Sequence, residues 1–283
     1  MPSLRDIKRR ITSVQSTQKI TRAMKMVAAA RLRRAQDAIL RTRPYAYRMR
    51  ALVDNLAARG DRDLHPLLRP GGGGKVGLIV VTADRGLCGA FNANLVNAAM
   101  QALQDRFRGR DVELTVVGRK GIESFRRRAC TVRATHAGIG DRPAMDAAVE
   151  VIGDIIKDYA KGGTDEVHCL YNEFKSAIAQ RVTLEQLLPF EPGEPEGPVT
   201  DYIYEPSLSG VFETLLVEHL HVQMHRILSE SAASEHGARM TAMDAATQNA
   251  DDVIERLTLQ YNRVRQDAIT TELIEVVSGA EAL

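Results

Sequence analysis

The residues with the clearest chemical potential lie in a glycine-containing turn, residues 82–92, which reads TADRGLCGAFN. The turn follows a β-branched run and precedes a helical stretch, which is where nucleotide-binding folds hold phosphate. It lacks both the GxGxxG spacing of a dinucleotide site and the Lys-Ser/Thr pair of a P-loop. We therefore interpret it as a tight strand-to-helix turn in which Gly86 and Gly89 meet backbone requirements.

Three histidines near the start of the last helical segment, His219, His221 and His225, are the best candidates for metal ligands. They are not part of an HExxH arrangement and no third type of ligand accompanies them, so solvated helix positions are expected instead. Cys88 has no nearby histidine to activate it and is expected to be a small buried apolar residue. The loop carboxylates are not paired by their spacing. The sequence therefore predicts no catalytic residue, no metal and no cofactor.

Composition excludes several classes of protein. With 44% hydrophobic and 26% charged residues, the 283-residue chain is neither disordered throughout nor collagen-like nor a disulfide scaffold. Its longest apolar run covers residues 76–81, far short of the roughly 20 residues that a membrane helix needs. Three well-separated cysteines without a CxxC motif indicate a reducing compartment.

The small net charge of +2 hides a strong asymmetry along the chain. Residues 1–50 contain 14 Lys and Arg against 2 Asp and Glu, a net charge of +12. Residues 206–283 contain 5 against 12, a net charge of −7, and the middle contributes −3. A basic beginning and an acidic end are expected to attract each other, or to meet partners of opposite charge.

The two ends of the chain predict long helices. Residues 3–43 contain neither Pro nor Gly, and the helical pattern continues past a possible kink at Pro44 to about residue 58. Ser3 and Asp6 form a capping-box-like start. A second helix is predicted over about residues 211–277, which contain no proline. Neither rod would be stable alone, so each needs a partner helix.

The last helix carries a heptad seam. Apolar and small residues step by three and four along it, at Met240, Met243, Thr247, Ala250, Ile254, Leu257, Tyr261, Val264 and Ala268. A matching seam begins the first helix at Leu4, Ile7, Ile11 and Val14. Gln18, Thr21 and Lys25 then interrupt it, which we interpret as a stretch that no single partner holds tightly. The two terminal helices are predicted to form a long antiparallel coiled coil.

The middle of the chain alternates strands and helices, which is typical of an α/β layer with a mostly parallel sheet. Strands are predicted over residues 75–82, 112–117, 131–136, 166–171 and 178–188, and helices over 92–107, 119–127 and 144–159. The predicted division is a first coiled-coil helix (1–58), an α/β domain (75–190), a Pro-rich linker (191–206) and a second coiled-coil helix (207–283). A glycine-rich stretch, residues 70–74, leads into the domain.

The basic first helix is open to three interpretations. It could pair with the acidic helix of the same chain, dock onto an acidic protein surface, or bind nucleic acid or anionic lipid. The acidic end of the chain argues against nucleic acid. From the residues alone, the prediction is an interaction protein with a coiled coil and an α/β domain, the alternative being that this domain binds a nucleotide.

Three stretches together resemble the gamma-subunit family of F-type ATP synthases. They are SLRDIKRRI through TQKITRAMKMVAA near the start, DRGLCGAFN in the middle, and SEHGARMTAMDAATQNA through AITTELIEVVSGA at the end. The resemblance covers the whole chain in order. Because it begins at Met1, no presequence is expected, which favours a bacterial protein.

The resemblance implies a rotor shaft: an asymmetric antiparallel coiled coil inside a ring of three alpha and three beta subunits, present in one copy. Its Rossmann-like α/β domain would form a foot against an epsilon subunit and the membrane c-subunit ring. The subunit itself would do no chemistry, but would couple proton flow to ATP synthesis or hydrolysis and so regulate ATPase activity. It would lie peripherally on the cytoplasmic face of the bacterial inner membrane, with no nucleic acid bound.

The resemblance also assigns contact residues. A catch loop of the beta subunit would meet Arg265, Gln266, Thr270 and Glu272. An acidic lever of beta would face Arg22, Met24, Lys25, Arg31, Arg33 and Arg34. The epsilon and c-ring contact would include Tyr202, Tyr204 and Glu205. The apolar tail, residues 274–283, would sit in a bearing at the top of the ring.

Overall fold

A computed structural model describes residues 3–57, 65–69, 71–72, 74–128, 130–141, 144–193, 205 and 207–281. Within them, the elements in chain order are α1 (Leu4–Ala57), β1 (Lys75–Val81), α2 (Phe91–Gln104), β2 (Asp111–Val117), α3 (Arg119–Phe125), β3 (Thr131–His136), α4 (Ala144–Ala160), β4 (Glu166–Phe174), β5 (Gln180–Leu188) and α5 (Leu208–Glu281). The predicted alternation of strands and helices between two long helices is confirmed. Most of the predicted Pro-rich linker lies outside the described residues, as do Pro70 and Gly73.

The first long helix begins with the predicted capping arrangement. The amide of Asp6 donates to Ser3 Oγ (3.2 Å), and the amide of Ser3 donates to Asp6 Oδ2 (3.3 Å). Each side chain thus satisfies a backbone donor at the helix start. The helix passes through Pro44 and ends at Ala57, although Pro44 has no N–H to donate to the Leu40 carbonyl.

The five strands form one sheet in the order β3-β2-β1-β4-β5. The first four are parallel, and β5 runs antiparallel to β4. Residues 175–179 alone join β4 to β5, which is too short for a crossover and therefore makes a hairpin. The predicted Rossmann-like, mostly parallel sheet is confirmed.

Both faces of the sheet are covered by helices, which explains the continuous apolar run of β1. Leu78 and Val80 pack with residues of α2 and α3 on one face. Ile79 and Val81 pack on the other face with residues of α4, α1 and α5. The long helices therefore contribute directly to the core of the α/β domain.

The chain divides into two compact units. The coil unit consists of residues 1–28 and 240–283, and the α/β unit consists of residues 29–239. α5, a helix of 74 residues, contributes to both. The α/β unit therefore includes the second part of α1 and the first part of α5 as well as the sheet.

Candidate functional site

The two helices of the coil unit are joined along the predicted seam. In α1, Leu4, Ile7, Ile11 and Val14 are buried or half-buried, while the residues between them are exposed. From Ile254 to Ala268 in α5, the seam residues are half-buried and the residues between them are exposed. The heptad prediction for both helices is confirmed, and the side chains between the seam positions of these stretches are exposed to solvent.

The interpretation of Gln18, Thr21 and Lys25 as an interruption of the seam is wrong. These residues continue the spacing of three and four after Val14, and each contacts a polar residue of α5. The Thr21 and Thr247 hydroxyls lie 2.7 Å apart, and both residues are under 10% exposed. Lys25 Nζ lies 2.5 Å from Asp244 Oδ1. The amide of Gln18 donates to Asp251. One helix alone looks interrupted here because the partners that accept these polar groups lie more than 200 residues away in the sequence.

These three contacts fix how the helices are aligned. As the residue number rises from Gln18 to Lys25, that of the α5 partner falls from Asp251 to Asp244, so the helices are antiparallel, as predicted. Polar groups at seam positions specify register, since a shifted alignment would place them against apolar side chains. The coil therefore has a stretch of successive polar contacts between two apolar stretches.

The residues expected to face a beta subunit differ in how freely they are presented. Arg22, Arg31, Arg33 and Arg34 are exposed on α1, whereas Met24 is half-buried. Lys25 is 41% exposed but engaged with Asp244 inside the coil unit. Lys25 thus has a structural contact that the sequence did not reveal.

Residues near the end of α5 are more fully exposed. Arg265, Gln266, Thr270 and Glu272 all face outward, with the Thr270 hydroxyl donating to the Gln266 carbonyl (2.9 Å). Apolar side chains after Ala268 are also exposed, at Ile269, Leu273, Ile274, Val276 and Val277. Glu205 is exposed, and Tyr202 and Tyr204 lie outside the described residues.

The turn after β1 has the geometry of a strand-to-helix connection, as predicted. Thr82 Oγ1 donates to the Val117 carbonyl (2.7 Å) and accepts from the Gly121 amide (2.9 Å). Two residues of this turn have a positive φ, Gly89 (57°) and Leu87 (62°). The expected backbone requirement therefore holds for Gly89, whereas a side chain at Gly86 would make only an ordinary contact, 3.8 Å from Lys120.

This turn presents carbonyl groups to a cation of α5. Arg239 Nη2 donates to the carbonyls of Arg85 (3.3 Å) and Gly86 (3.2 Å), while Nη1 pairs with Glu235 (2.6 Å). A phosphate site needs the opposite polarity, with backbone N–H groups pointing at the ligand. The geometry favours a turn that anchors α5 rather than one that binds a nucleotide.

The expectation of solvated histidines is wrong for His219. This side chain is 1% exposed and packs edge-on against Phe190, with ring centroids 5.1 Å apart. Burial lowers the pKa of His219 to about 4 and also lowers that of His225. Both are neutral at physiological pH, and His219 packs in the core. Within the described part of the chain, no cluster of three potential metal ligands occurs.

The cysteine expectation is confirmed for Cys88, which is buried and whose thiol pKa is raised by burial.

A cavity of about 370 Å³ lies in the α/β unit at the ends of β1 and β2. Its walls include Thr82, Gly118, Leu228 and His236, so α5 closes the region where nucleotides bind in open α/β sheets.

Comparison with known proteins shows which family this chain belongs to. A family model described as ATP synthase matches residues 3–283. The ATP synthase gamma chain of Anaeromyxobacter sp. (strain Fw109-5) is 48% identical over 289 residues, covering 100% of both chains. This chain belongs to the ATP synthase gamma-chain family. The gamma chain of Geobacter sp. (strain M21) is 47% identical, covering 100% of this chain and 99% of its own. The family resemblance of the sequence is confirmed.

Chains in solved structures of ATP synthases share the fold. A chain from the Euglena gracilis mitochondrial ATP synthase, in a structure of OSCP/F1/c-ring, gives a TM-score of 0.72 at 19% identity, covering 99% of this chain and 94% of that one. A chain from the Tetrahymena thermophila central stalk/c-ring gives 0.62 at 24% identity, covering 80% and 99%. In the part of this chain that the structure describes, no helix is long and apolar enough to span a membrane.

Proposed function

We propose that this chain is the central-stalk rotor subunit of an F-type ATP synthase, where it couples proton flow through the membrane sector to ATP synthesis and hydrolysis. The observation that carries the proposal is the closed antiparallel coil of α1 and α5, whose seam is satisfied internally while its outer surface is free. Identity of 48% over the full length to a gamma chain supports it.

The subunit is proposed to be non-catalytic. A partner can shift a conformational equilibrium only by contacting two states differently. A rod whose outer surface differs from side to side, basic along α1 and acidic along α5, meets each of three surrounding beta subunits with a different face. Rotation of that rod then drives each beta subunit through its conformations in turn, and the bound nucleotides are handled by the ring of three alpha and three beta subunits.

Charge supports the proposed contacts with beta. The exposed arginines Arg22, Arg31, Arg33 and Arg34 would attract an acidic lever, and complementary charge favours correct approach and alignment. Lys25 would also face the lever with the exposed part of its side chain, while its ammonium group remains paired with Asp244. At the other end of the rod, Arg265, Gln266, Thr270 and Glu272 would meet the catch loop, and the exposed apolar side chains after Ala268 would lie in an apolar bearing.

The proposed foot contact involves Tyr202, Tyr204 and Glu205 against an epsilon subunit and the c-ring. In this arrangement the chain is held at the membrane by protein partners, on the cytoplasmic face of a bacterial inner membrane, in one copy per complex. No nucleic acid takes part.

The proposal is tested by affinity purification of the tagged chain from detergent-solubilised membranes, followed by an ATPase assay and determination of subunit stoichiometry. We expect one copy per three alpha and three beta subunits with ATPase activity. Recovery of the chain alone, or with nucleic acid that dissociates at high salt, would refute the rotor function.

A further inference from the structure

The β4–β5 hairpin carries a polar cluster against α5 that the proposed function leaves without a role. The cluster lies entirely in the α/β unit and is centred on Arg226. The side chain of Arg226 is 24% exposed and that of Glu230, one helical turn away, is 10% exposed. Glu185 of β5 and Tyr171 of β4 approach the same guanidinium from the sheet.

The guanidinium of Arg226 makes five hydrogen-bond contacts, from all three of its nitrogens. Nε donates to Gln223 Oε1 (2.9 Å), and Nη1 contacts the Tyr171 hydroxyl (3.1 Å) and Glu230 Oε1 (3.3 Å). Nη2 contacts both carboxylate oxygens of Glu185, at 2.6 and 2.8 Å. The Tyr171 hydroxyl in turn donates to Glu185 Oε2 (2.8 Å). Only an arginine has five donors in a fixed planar arrangement, and a lysine at this position would have three.

Two further contacts lie along the same line of α5. The Ser234 hydroxyl, fully buried, donates to the Asn172 carbonyl of β4 (3.0 Å). A Cβ atom on Gly237 would lie 3.0 Å from the carbonyl oxygen of Ala177 in the hairpin loop. The helix therefore approaches the hairpin closely over three turns, with Arg226 at the most strongly hydrogen-bonded end.

The remaining contact between α5 and this face of the sheet is apolar, through residues such as Leu220, Met224 and Ile227. Apolar contacts oppose separation, but they are non-directional and do not by themselves select one alignment. Hydrogen bonds from a guanidinium to a carboxylate are directional, and the loss of one such bond to a charged group shifts an equilibrium by roughly tenfold or more. The polar cluster thus opposes slippage at the hairpin, as the contacts of Arg239 do at the turn after β1.

We propose that Arg226 is a positioning residue for coupling: through Glu185 and Tyr171 it prevents the α/β domain from slipping about α5, so that torque applied to the domain is carried by the helix. This rests on the proposed rotor function. The consequence is that the clamp matters under mechanical load and contributes little when the rotor turns freely.

The test uses the assembled complex in inverted membrane vesicles, with the variants Arg226→Lys and Glu185→Gln. Both keep side chains of similar size, and Glu185→Gln keeps the shape while removing the charge, so it also serves if Arg226→Lys fails to assemble. The matched control is Arg181→Lys on the same hairpin, where the arginine is 67% exposed and pairs with Glu173 at 3.2 Å. ATP hydrolysis is measured with and without an uncoupler that removes the opposing gradient, and ATP-driven proton pumping is measured in parallel without the uncoupler.

We expect both variants to hydrolyse ATP at the wild-type rate with the uncoupler present. With the gradient imposed, protons pumped per ATP hydrolysed should fall by roughly twofold or more, while Arg181→Lys behaves as wild type. A wild-type pumping ratio in both variants, or an equal loss of hydrolysis and pumping, would overturn the clamp. Failure of the wild-type chain to assemble with alpha and beta subunits would instead refute the proposed function, so the two failures are distinguishable.

Discussion

Exchanging the charges of Lys25 and Asp244 separates two roles of Lys25, one in the seam of the coil and one toward the proposed acidic lever. In Lys25→Asp, two carboxylates face each other where Lys25 Nζ and Asp244 Oδ1 now lie 2.5 Å apart. In the double variant Lys25→Asp/Asp244→Lys, the two side chains attract each other again. Position 25 of α1, however, now carries a negative charge in place of a positive one.

The expected size of the effect follows from exposure. The two side chains are 41% and 44% exposed, so solvent screens the pair and it contributes about 0.5 kcal/mol. Lys25→Asp removes that attraction and adds a repulsion of similar size, which lowers the free energy of unfolding by about 1 kcal/mol and the melting temperature by about 3 °C. The double variant should regain most of this loss. The difference between single and double variants should shrink in about 1 M salt.

Two assays follow each variant: thermal unfolding of the full chain by circular dichroism, and ATP-driven proton pumping by the assembled complex. If Lys25 also meets an acidic lever, the double variant regains the melting temperature but not the pumping. Full recovery of both would show that Lys25 acts only within the coil. An unchanged melting temperature in Lys25→Asp, or a double variant no more stable than the single one, would refute the energetic reasoning.

Three further predictions rest on other contacts. Thr21→Val should lower the free energy of unfolding by about 1 kcal/mol, because the buried Thr247 hydroxyl loses the Thr21 oxygen and keeps only the Met243 carbonyl as a partner. Thr21→Val/Thr247→Val should be close to wild type because neither hydroxyl is left at this contact; a double variant no more stable than Thr21→Val would contradict this in a denaturant titration. The folded-state pKa of His219, about 4, lies below the ordinary value near 6.5, so its contribution to stability is present above pH 6.5 and lost as the pH falls toward 4. His219→Leu should therefore flatten the decline of the unfolding midpoint between pH 6.5 and 4, and an equally steep decline would exclude this cause. Arg265→Ala should leave the melting temperature of the chain unchanged but lower ATP hydrolysis by the complex roughly threefold or more. Arg263→Ala, at another exposed position of α5, is the control. Unchanged hydrolysis and assembly in Arg265→Ala would remove support for the catch-loop contact.

The long helices could be predicted closely because helix breakers punctuate the chain. The absence of Pro and Gly from residues 3–43 and the capping pair of Ser3 and Asp6 give the start of α1 directly. The antiparallel edge strand also follows from the sequence in principle, since a connection of five residues between β4 and β5 excludes a crossover.

The polar contacts of the coil could not be predicted from one helix at a time. Thr21 at a seam position looks like a defect until Thr247 is placed opposite it, and that pairing depends on the alignment of two segments from opposite ends of the chain. The burial of His219 could not be predicted for a similar reason. Its burial depends on Phe190, which comes from the segment after β5, and local helix patterns contain no information about that neighbour.

The clamp at Arg226 was also not evident in the sequence. An isolated arginine on an otherwise mixed helix face carries no sign that five acceptors converge on it, since they come from β4, β5 and two turns of α5. By contrast, the exposed positions Arg265 and Gln266 were placed by family resemblance, which identifies residues by alignment and needs no knowledge of their contacts.

The contact between Gln18 and Asp251 joins residues 233 positions apart, and this distance has a consequence for synthesis on the ribosome. The apolar seam and the basic surface of α1 emerge first, and the partner helix is translated last. At about 5–20 residues per second, α1 waits on the order of ten seconds or more without a covering helix. During that interval a basic, half-apolar segment is open to non-native association, and the α/β domain can fold before the coil closes. Closure of the coil is then the last step of folding, and the speed of translation, rather than the stability of the finished coil, sets how long the chain is vulnerable.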